Sequence, residues 1–313
     1  MIHSTPTVGT GTYSYLGPAG TFTEDALRQV PEAVGALWRP VATVAQAIDD
    51  VVDGTSVRAV IPIENSIEGG VSATQDALAT TPGVRIWGEY LVPIHFALLA
   101  RPGTRIEQVR TITTHPVSYP QCRNWIAEHL PDHAFIPAPS NAAAAAAAVN
   151  DDRVDAAIAG LRVLDHYDLE VLVDDIGDNH NAVTRFVLIG PDHGVPEPTG
   201  ADKTSLVAEL PVDEAGALLR LLEQFSTRGI NMSRIESRPI GDELGRYRFT
   251  IDLEGHVLDA RVAEALKGVR RFSPNVVFLG SFPRANHERP TVTTVHDNAA
   301  FATAERWFDE LLE

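Results

Sequence analysis

The sequence predicts an α/β protein of two open-sheet lobes followed by a smaller βαββαβ domain, and three observations carry that reading. Short β-rich runs alternate with helical patterns from residue 12 to about residue 190. A stretch dense in Pro and Gly interrupts the chain at 190–200, and beyond it the element order changes to β-α-β-β-α-β.

In the first series, residues 13–16 read as a strand followed by a helix from about Glu24. Residues 36–38 precede a helix through Val44, Ala45, Ala47, Ile48 and Val51, and residues 59–63 precede another from about Ser72. Residues 85–100 read as extended chain bent at Gly88 and Pro93, the path from one lobe into the next. The second series runs through a strand at 110–114, a helix at 118–129, a strand at 134–136, an alanine-rich helix at 141–149, a strand at 155–158 and a short helix after Gly160. After a polar loop at 174–181, residues 184–189 form one more strand.

The linker precedes a strand at 204–210, Asp213 as an N-cap, a helix at 215–227 closed by Gly229, and a long strand at 230–240 ending at Gly241-Asp242. A strand at 247–253, a helix at 259–269 and a strand at 276–279 complete the ferredoxin-like split. The polar stretch after Pro283 leads to a terminal helix at 298–312. Its apolar face, Phe301, Ala304, Trp307, Phe308 and Leu311, needs something to pack on.

Composition narrows the function. A formal net charge of -17, from 25 Lys+Arg against 42 Asp+Glu, argues against nucleic acid while leaving room for a small anion in a cleft. No apolar run is long enough to span a bilayer, and the start lacks the basic and apolar regions of a signal peptide. Cys122 is the only cysteine, which excludes an internal disulfide and a cysteine-rich metal site and fits a reducing cytoplasm.

Four segments at strand ends carry candidate chemistry. Gly17-Pro18-Ala19-Gly20-Thr21-Phe22-Thr23-Glu24 opens a helix, where exposed N–H groups could hold a carboxylate; the plainer reading is a tight βα turn with Thr21 and Glu24 as a capping box. It lacks the Gly-x-Gly-x-x-Gly dinucleotide spacing. Pro62-Ile63-Glu64-Asn65-Ser66 offers two neutral donors and a carboxylate, or simply a loop. Thr114-His115-Pro116 with Gln121-Cys122 repeats the arrangement in the second lobe, with His115 better read as stabilising its turn and Gln121 at capping-box spacing from Ser118. In Thr184-Arg185-Phe186, a regular strand turns Thr184 and Phe186 to one face and Arg185 to the other, so only one of the first two reaches a given cleft.

Together these segments, with Tyr15-Leu16 before the first of them, stand in the order and approximate spacing of the prephenate dehydratase family, which the chain resembles over about residues 12–285. Gly216-Ala217-Leu218-Leu219 and Glu236-Ser237-Arg238-Pro239 resemble the two phenylalanine-binding motifs of that family's ACT regulatory domain. One departure is visible: the family's asparagine usually stands two residues ahead of the Thr-Arg-Phe threonine, whereas Asn181 stands three ahead of Thr184.

The resemblance implies a two-lobed catalytic domain of the type 2 periplasmic-binding-protein kind at 12–190, with lobe 1 at about 12–90 and 182–190 and lobe 2 at about 91–181. A linker at 191–201, an ACT domain at 202–285 and a tail at 286–313 follow. It implies conversion of prephenate to phenylpyruvate with loss of carbon dioxide and water, by a carbon-oxygen lyase needing no cofactor or metal because the ring becomes aromatic. Thr184, polarised in a network with Gln121 and Glu64, is the expected donor to the leaving hydroxyl. Thr21, Asn65, Ser66, Thr114, Arg185 and Phe186 are expected at the substrate, with Arg185 alternatively bracing its strand. Phenylalanine is expected between subunits at Gly216, Ala217, Leu218, Asn231, Glu236, Ser237 and Arg238, in a homodimer or homotetramer. The plainer reading makes Leu218 and Leu219 core and Glu236 with Arg238 a surface ion pair. Arogenate dehydration and non-catalytic anion binding are the rival functions. A fused chorismate mutase is not expected, since no helical domain precedes Thr12.

Overall fold

The computed structural model describes residues 10–211, 214–241 and 245–313, so the expected cap Asp213 and the strand end at Asp242 lie outside the described residues. The chain divides into two compact units, one of the residues up to 74 with Tyr90–Val187, the other of Gln75–Glu89 with Leu188–Glu313.

The first lobe comprises β1 (Thr12–Leu16), α1 (Phe22–Arg28), β2 (Leu37–Val41), α2 (Val44–Val52), β3 (Arg58–Asn65) and the two-residue β4 (Gly69–Gly70), leading into α3 (Ser72–Thr80) and β5 (Val84–Pro93). The second comprises β6 (Ala97–Ala100), β7 (Thr111–Thr114), α4 (Arg123–His129), β8 (Ala134–Pro137), α5 (Asn141–Asn150), β9 (Ala156–Ala159) and β10 (Glu170–Val173). The chain then returns as β11 (Val183–Pro191). Strand order is β2-β1-β3-β11-β5 in one sheet, with β4 on β3, and β10-β6-β9-β7-β8 in the other. These are the two open sheets expected, and the chain returning into the first sheet is what makes a shared crevice between lobes.

Local sequence explains the elements nearest that crevice. β9 is Ala-Ala-Ile-Ala and wholly buried, as a strand covered on both faces must be. The alanines of α5 lose little entropy in a helix, and Ala142, Ala144, Ala145 and Ala148 are buried in the lobe core with Val154 and Ala157. Ser140 caps α5 by accepting the Ala143 N–H at 3.0 Å, which fixes where the helix begins. The helix expected at 118–129 is instead a 3-10 turn, Tyr119–Cys122, leading into α4. Pro120, without an N–H, suits such a turn but not an α-helix interior.

The second unit carries β12 (Asp202–Glu209), α6 (Ala217–Ser226), β13 (Met232–Pro239), β14 (Tyr247–Glu254), α7 (Ala260–Phe272) and β15 (Val276–Pro283). Its sheet, ordered β13-β14-β12-β15, is antiparallel throughout, the ferredoxin-like arrangement. Leu206, Ile251 and Leu253 pack with Leu221 and Phe225 of α6 and Val262, Ala265 and Val269 of α7. Polar side chains of β13 and β14 meet the start of α3: Arg238 and Arg248 both bind Asp76, and Glu236 accepts from Gln75 and Arg234. Arg238 meets Asp76 at 2.7 Å.

The terminal helix α8 (Asn298–Glu310) is capped by Asp297, which accepts the Ala300 N–H at 2.7 Å. Among the described residues the packing expected of its apolar face is only partial, with Phe301 half-buried. Trp307, Phe308 and Leu311 are 60%, 55% and 59% exposed.

Candidate active site

A crevice of about 400 Å³ lies within the first unit, in the range of small-molecule sites, roughly 300–1,000 Å³. One wall comes from the first lobe: Gly20, Thr21 and Phe22 of the β1–α1 turn, and Thr184 and Phe186 of β11. The other comes from the second lobe: His115 and Ser118 after β7, and Ser140 and Asn141 at the start of α5.

Thr184 is 9% exposed, and its Oγ1 accepts a hydrogen bond of 2.8 Å from Asn65 Nδ2. The orientation of the Asn65 amide is fixed by its other end, because Oδ1 accepts the backbone N–H groups of Ile67 at 2.8 Å and Glu68 at 3.1 Å. With a lone pair engaged by Asn65, the Thr184 hydroxyl can aim its hydrogen into the crevice. Gln121 and Glu64, expected in the same network, make no hydrogen bond to Thr184.

Strand alternation places Thr184 and Phe186 together on the crevice and turns Arg185 away. Arg185, expected at the substrate, is 6% exposed and pairs with Glu64 at 3.4 Å, which is the strand-bracing alternative. The hydroxyl of Ser66 accepts the Val183 N–H at 3.0 Å, and its own N–H donates to Val183 at 2.9 Å. Ser66 thereby anchors the loop carrying Asn65 to β11. Asn181 is exposed, its N–H donating to Asn179 Oδ1 at 2.9 Å.

On the second-lobe wall, Thr114 is fully buried and donates to Ile158 O at 2.7 Å. Asn141 Oδ1 accepts the His115 N–H at 3.2 Å and the Ser118 Oγ–H at 3.0 Å, and lies 3.2 Å from Thr114 Oγ1. Ser118 and Gln121 do not form the capping box that their spacing suggests: Ser118 is drawn to Asn141, and Gln121 Nε2 donates to Val117 O at 3.1 Å. Burial lowers the pKa of His115 below its ordinary value, favouring the neutral imidazole. Burial, then Asp178 and Asp175, push the Cys122 thiol up to about 12, which leaves no thiolate nucleophile at neutral pH.

The Gly20–Thr21 turn is held from behind. Thr21 caps nothing; its Oγ1 donates to Leu16 O at 3.3 Å, so the capping box read with Glu24 is absent. The Glu24 carboxylate, 3% exposed, accepts the Gly20 N–H at 2.7 Å instead, along with Arg28 at 3.1 Å and His166 of the second lobe at 3.0 Å. Arg162 adds a second bond between the lobes, reaching Asp25 at 2.6 Å. Gly20 has φ +88°, which favours glycine, and a Cβ there would lie 3.2 Å from Val163 Cα, so a side chain at this turn would be strained and would crowd the second lobe. Among the described residues no group of three His, Cys, Asp or Glu side chains is placed to hold a metal ion.

The profile of the prephenate dehydratase family matches residues 13–194, the stretch that builds both walls, and that of the ACT domain matches residues 204–271. The chain belongs to the prephenate dehydratase family. A prephenate dehydratase of Corynebacterium glutamicum is 41% identical over 299 residues, covering 94% of each chain. Among solved structures, the prephenate dehydratase of Arthrobacter aurescens in complex with L-Phe is 49% identical with a TM-score of 0.91, covering 96% of this chain and 99% of that one. A chain described as a novel type of quorum-quenching acylase, GqqA, is 29% identical with a TM-score of 0.78, over 87% of this chain and 98% of that one.

In the ACT domain of this chain, Gly216 takes φ +85° at the N-cap of α6. Ala217 behind it is buried, while Leu218 and Leu219 are 39% and 58% exposed and so are not core. Asn231 is exposed just before β13, and Ser237 is exposed on that edge strand. Glu236 and Arg238 do not pair with each other; Arg234 with Gln75, and Asp76, are their respective partners. Sequence reasoning missed Asn141, Ser118 and Glu24 as parts of the site. Asn141 carried one signal, a polar residue opening an alanine run directly after a strand and a serine cap.

Proposed function

We propose that the crevice binds prephenate and that Thr184 assists departure of its C4 hydroxyl, making the chain a carbon-oxygen lyase that yields phenylpyruvate in the cytoplasm. The Asn65 to Thr184 hydrogen bond carries this reading. An aliphatic hydroxyl is a poor acid but a good oriented donor. Asn65 holds its oxygen so that the hydrogen points outward, where it stabilises charge growing on the leaving oxygen. The C1–carboxylate bond breaks, its electron pair enters the ring, and the C4–O bond breaks as hydroxide leaves and takes a proton from solvent. Prephenate dianion and one proton thus give phenylpyruvate anion, carbon dioxide and water, driven by aromatisation.

Around that centre, Glu64 acts by holding Arg185, and Gln121 by fixing the second-lobe turn through Val117. Phe186 offers the ring an apolar surface, and Thr21 lines the same wall. The domain limits that suit these roles are 12–190 for catalysis, 191–201 for the linker, 202–285 for the ACT domain and 286–313 for the tail. Phenylalanine binds the ACT domain through residues 216–218, Asn231 and 236–238 between subunits of a homo-oligomer. The relative solved with L-Phe supports that assignment.

One assay tests this function. Purified protein forms phenylpyruvate from prephenate faster than it aromatises arogenate, and added phenylalanine suppresses the rate. Absence of aromatic product from prephenate contradicts the assignment. Activity indifferent to saturating phenylalanine contradicts the regulatory part alone.

A further inference from the structure

Prephenate carries two carboxylates, yet none of the side chains lining the crevice is Lys or Arg. Recognition therefore falls to neutral donors, and one side chain on the second-lobe wall is built as such. Three groups converge on Asn141 Oδ1, and one of them, the backbone N–H of His115, can only donate. That fixes the amide with its oxygen in the wall. The NH₂ end, which has no hydrogen-bond partner among the described residues, is left for the crevice that Asn141 lines.

We propose that Asn141 is a substrate-binding residue whose Nδ2 donates to the carboxylate of the pyruvyl arm. This deepens the dehydratase reading and rests on it. The choice between carboxylates follows from the chemistry. The ring carboxylate must give up its charge as it leaves, so a donor there stabilises the ground state more than the transition state and slows the reaction. The pyruvyl carboxylate keeps its charge throughout, and a donor there binds substrate and product alike. Asn141 and Thr184 stand on opposite lobes, matching a substrate whose pyruvyl arm projects from C1, across the ring from the C4 hydroxyl.

The test uses the full-length protein with wild-type turnover of prephenate as its control; an inactive wild type removes the dehydratase reading itself and is a separate outcome. Asn141→Asp keeps an acceptor for the His115 and Ser118 donors and sets an anionic oxygen where the NH₂ group stood. It raises KM for prephenate and the inhibition constant of phenylpyruvate in parallel, each about 10- to 100-fold, with kcat within about threefold of wild type. Asn141→Ser, which keeps an acceptor but is too short to reach the substrate, raises both by a smaller, matching factor. If both constants stay at wild-type values in either folded variant, Asn141 does not bind substrate. If kcat falls while the phenylpyruvate constant is unmoved, the residue does not hold the retained carboxylate, and the proposal is overturned.

Discussion

Asn65 Nδ2 donates to Thr184 Oγ1 at 2.8 Å, joining two residues 119 positions apart at one point of the crevice wall. The direction of that bond is what matters, since it leaves the threonine hydrogen for the substrate. Asn65→Asp preserves the acceptor used by Ile67 and Glu68 but replaces the donor with an oxygen, to which Thr184 then donates. The expected result is a fall in kcat on the order of 10²–10³-fold with KM changed far less, read from steady-state kinetics on prephenate. An unchanged kcat removes Asn65 as the residue that positions Thr184.

Glu24 lies behind the turn that forms part of the first-lobe wall. Removing its carboxylate leaves the Gly20 N–H without its acceptor and His166 and Arg28 without their anion. Glu24→Ala therefore lowers stability by about 1–3 kcal/mol, and Glu24→Gln, which can still accept from Gly20, by less. Urea unfolding midpoints separate the two, and equal midpoints for all three proteins contradict this role of Glu24.

His115 makes stability fall on the acid side. Burial lowers its folded pKa below the ordinary 6.5, so the folded protein binds this proton less readily than the unfolded chain does. The stability associated with neutral His115 is intact above pH 6.5 and is lost as pH falls through the lower folded value. The difference in melting temperature between wild type and His115→Gln is therefore flat above pH 6.5 and shifts against the wild type below it. A difference constant from pH 8 to pH 5 rules this out.

The architecture was legible because its signals are local. Alternation of strand and helix and the period-2 placement of Thr184, Arg185 and Phe186 each depend on residues close in sequence. Partnerships were not legible. Glu24 read as one half of a capping box, and nothing local discloses that one of its partners is His166, 142 residues away. Asn141 read as the start of a plain alanine helix, since nothing near it discloses that His115 and Ser118 both donate to its oxygen. The apolar face of α8 was read as needing a partner, and among the described residues Trp307, Phe308 and Leu311 of that face stay exposed.

Thr184 is the centre of the account, and phenylpyruvate formation from prephenate by wild type, Thr184→Ser and Thr184→Val tests it most directly. Valine keeps the shape of threonine and removes only the hydroxyl. The account predicts that wild type turns over, that serine retains much of the rate, and that valine loses on the order of 10²–10⁴-fold in kcat. Equal turnover by wild type and Thr184→Val would contradict it.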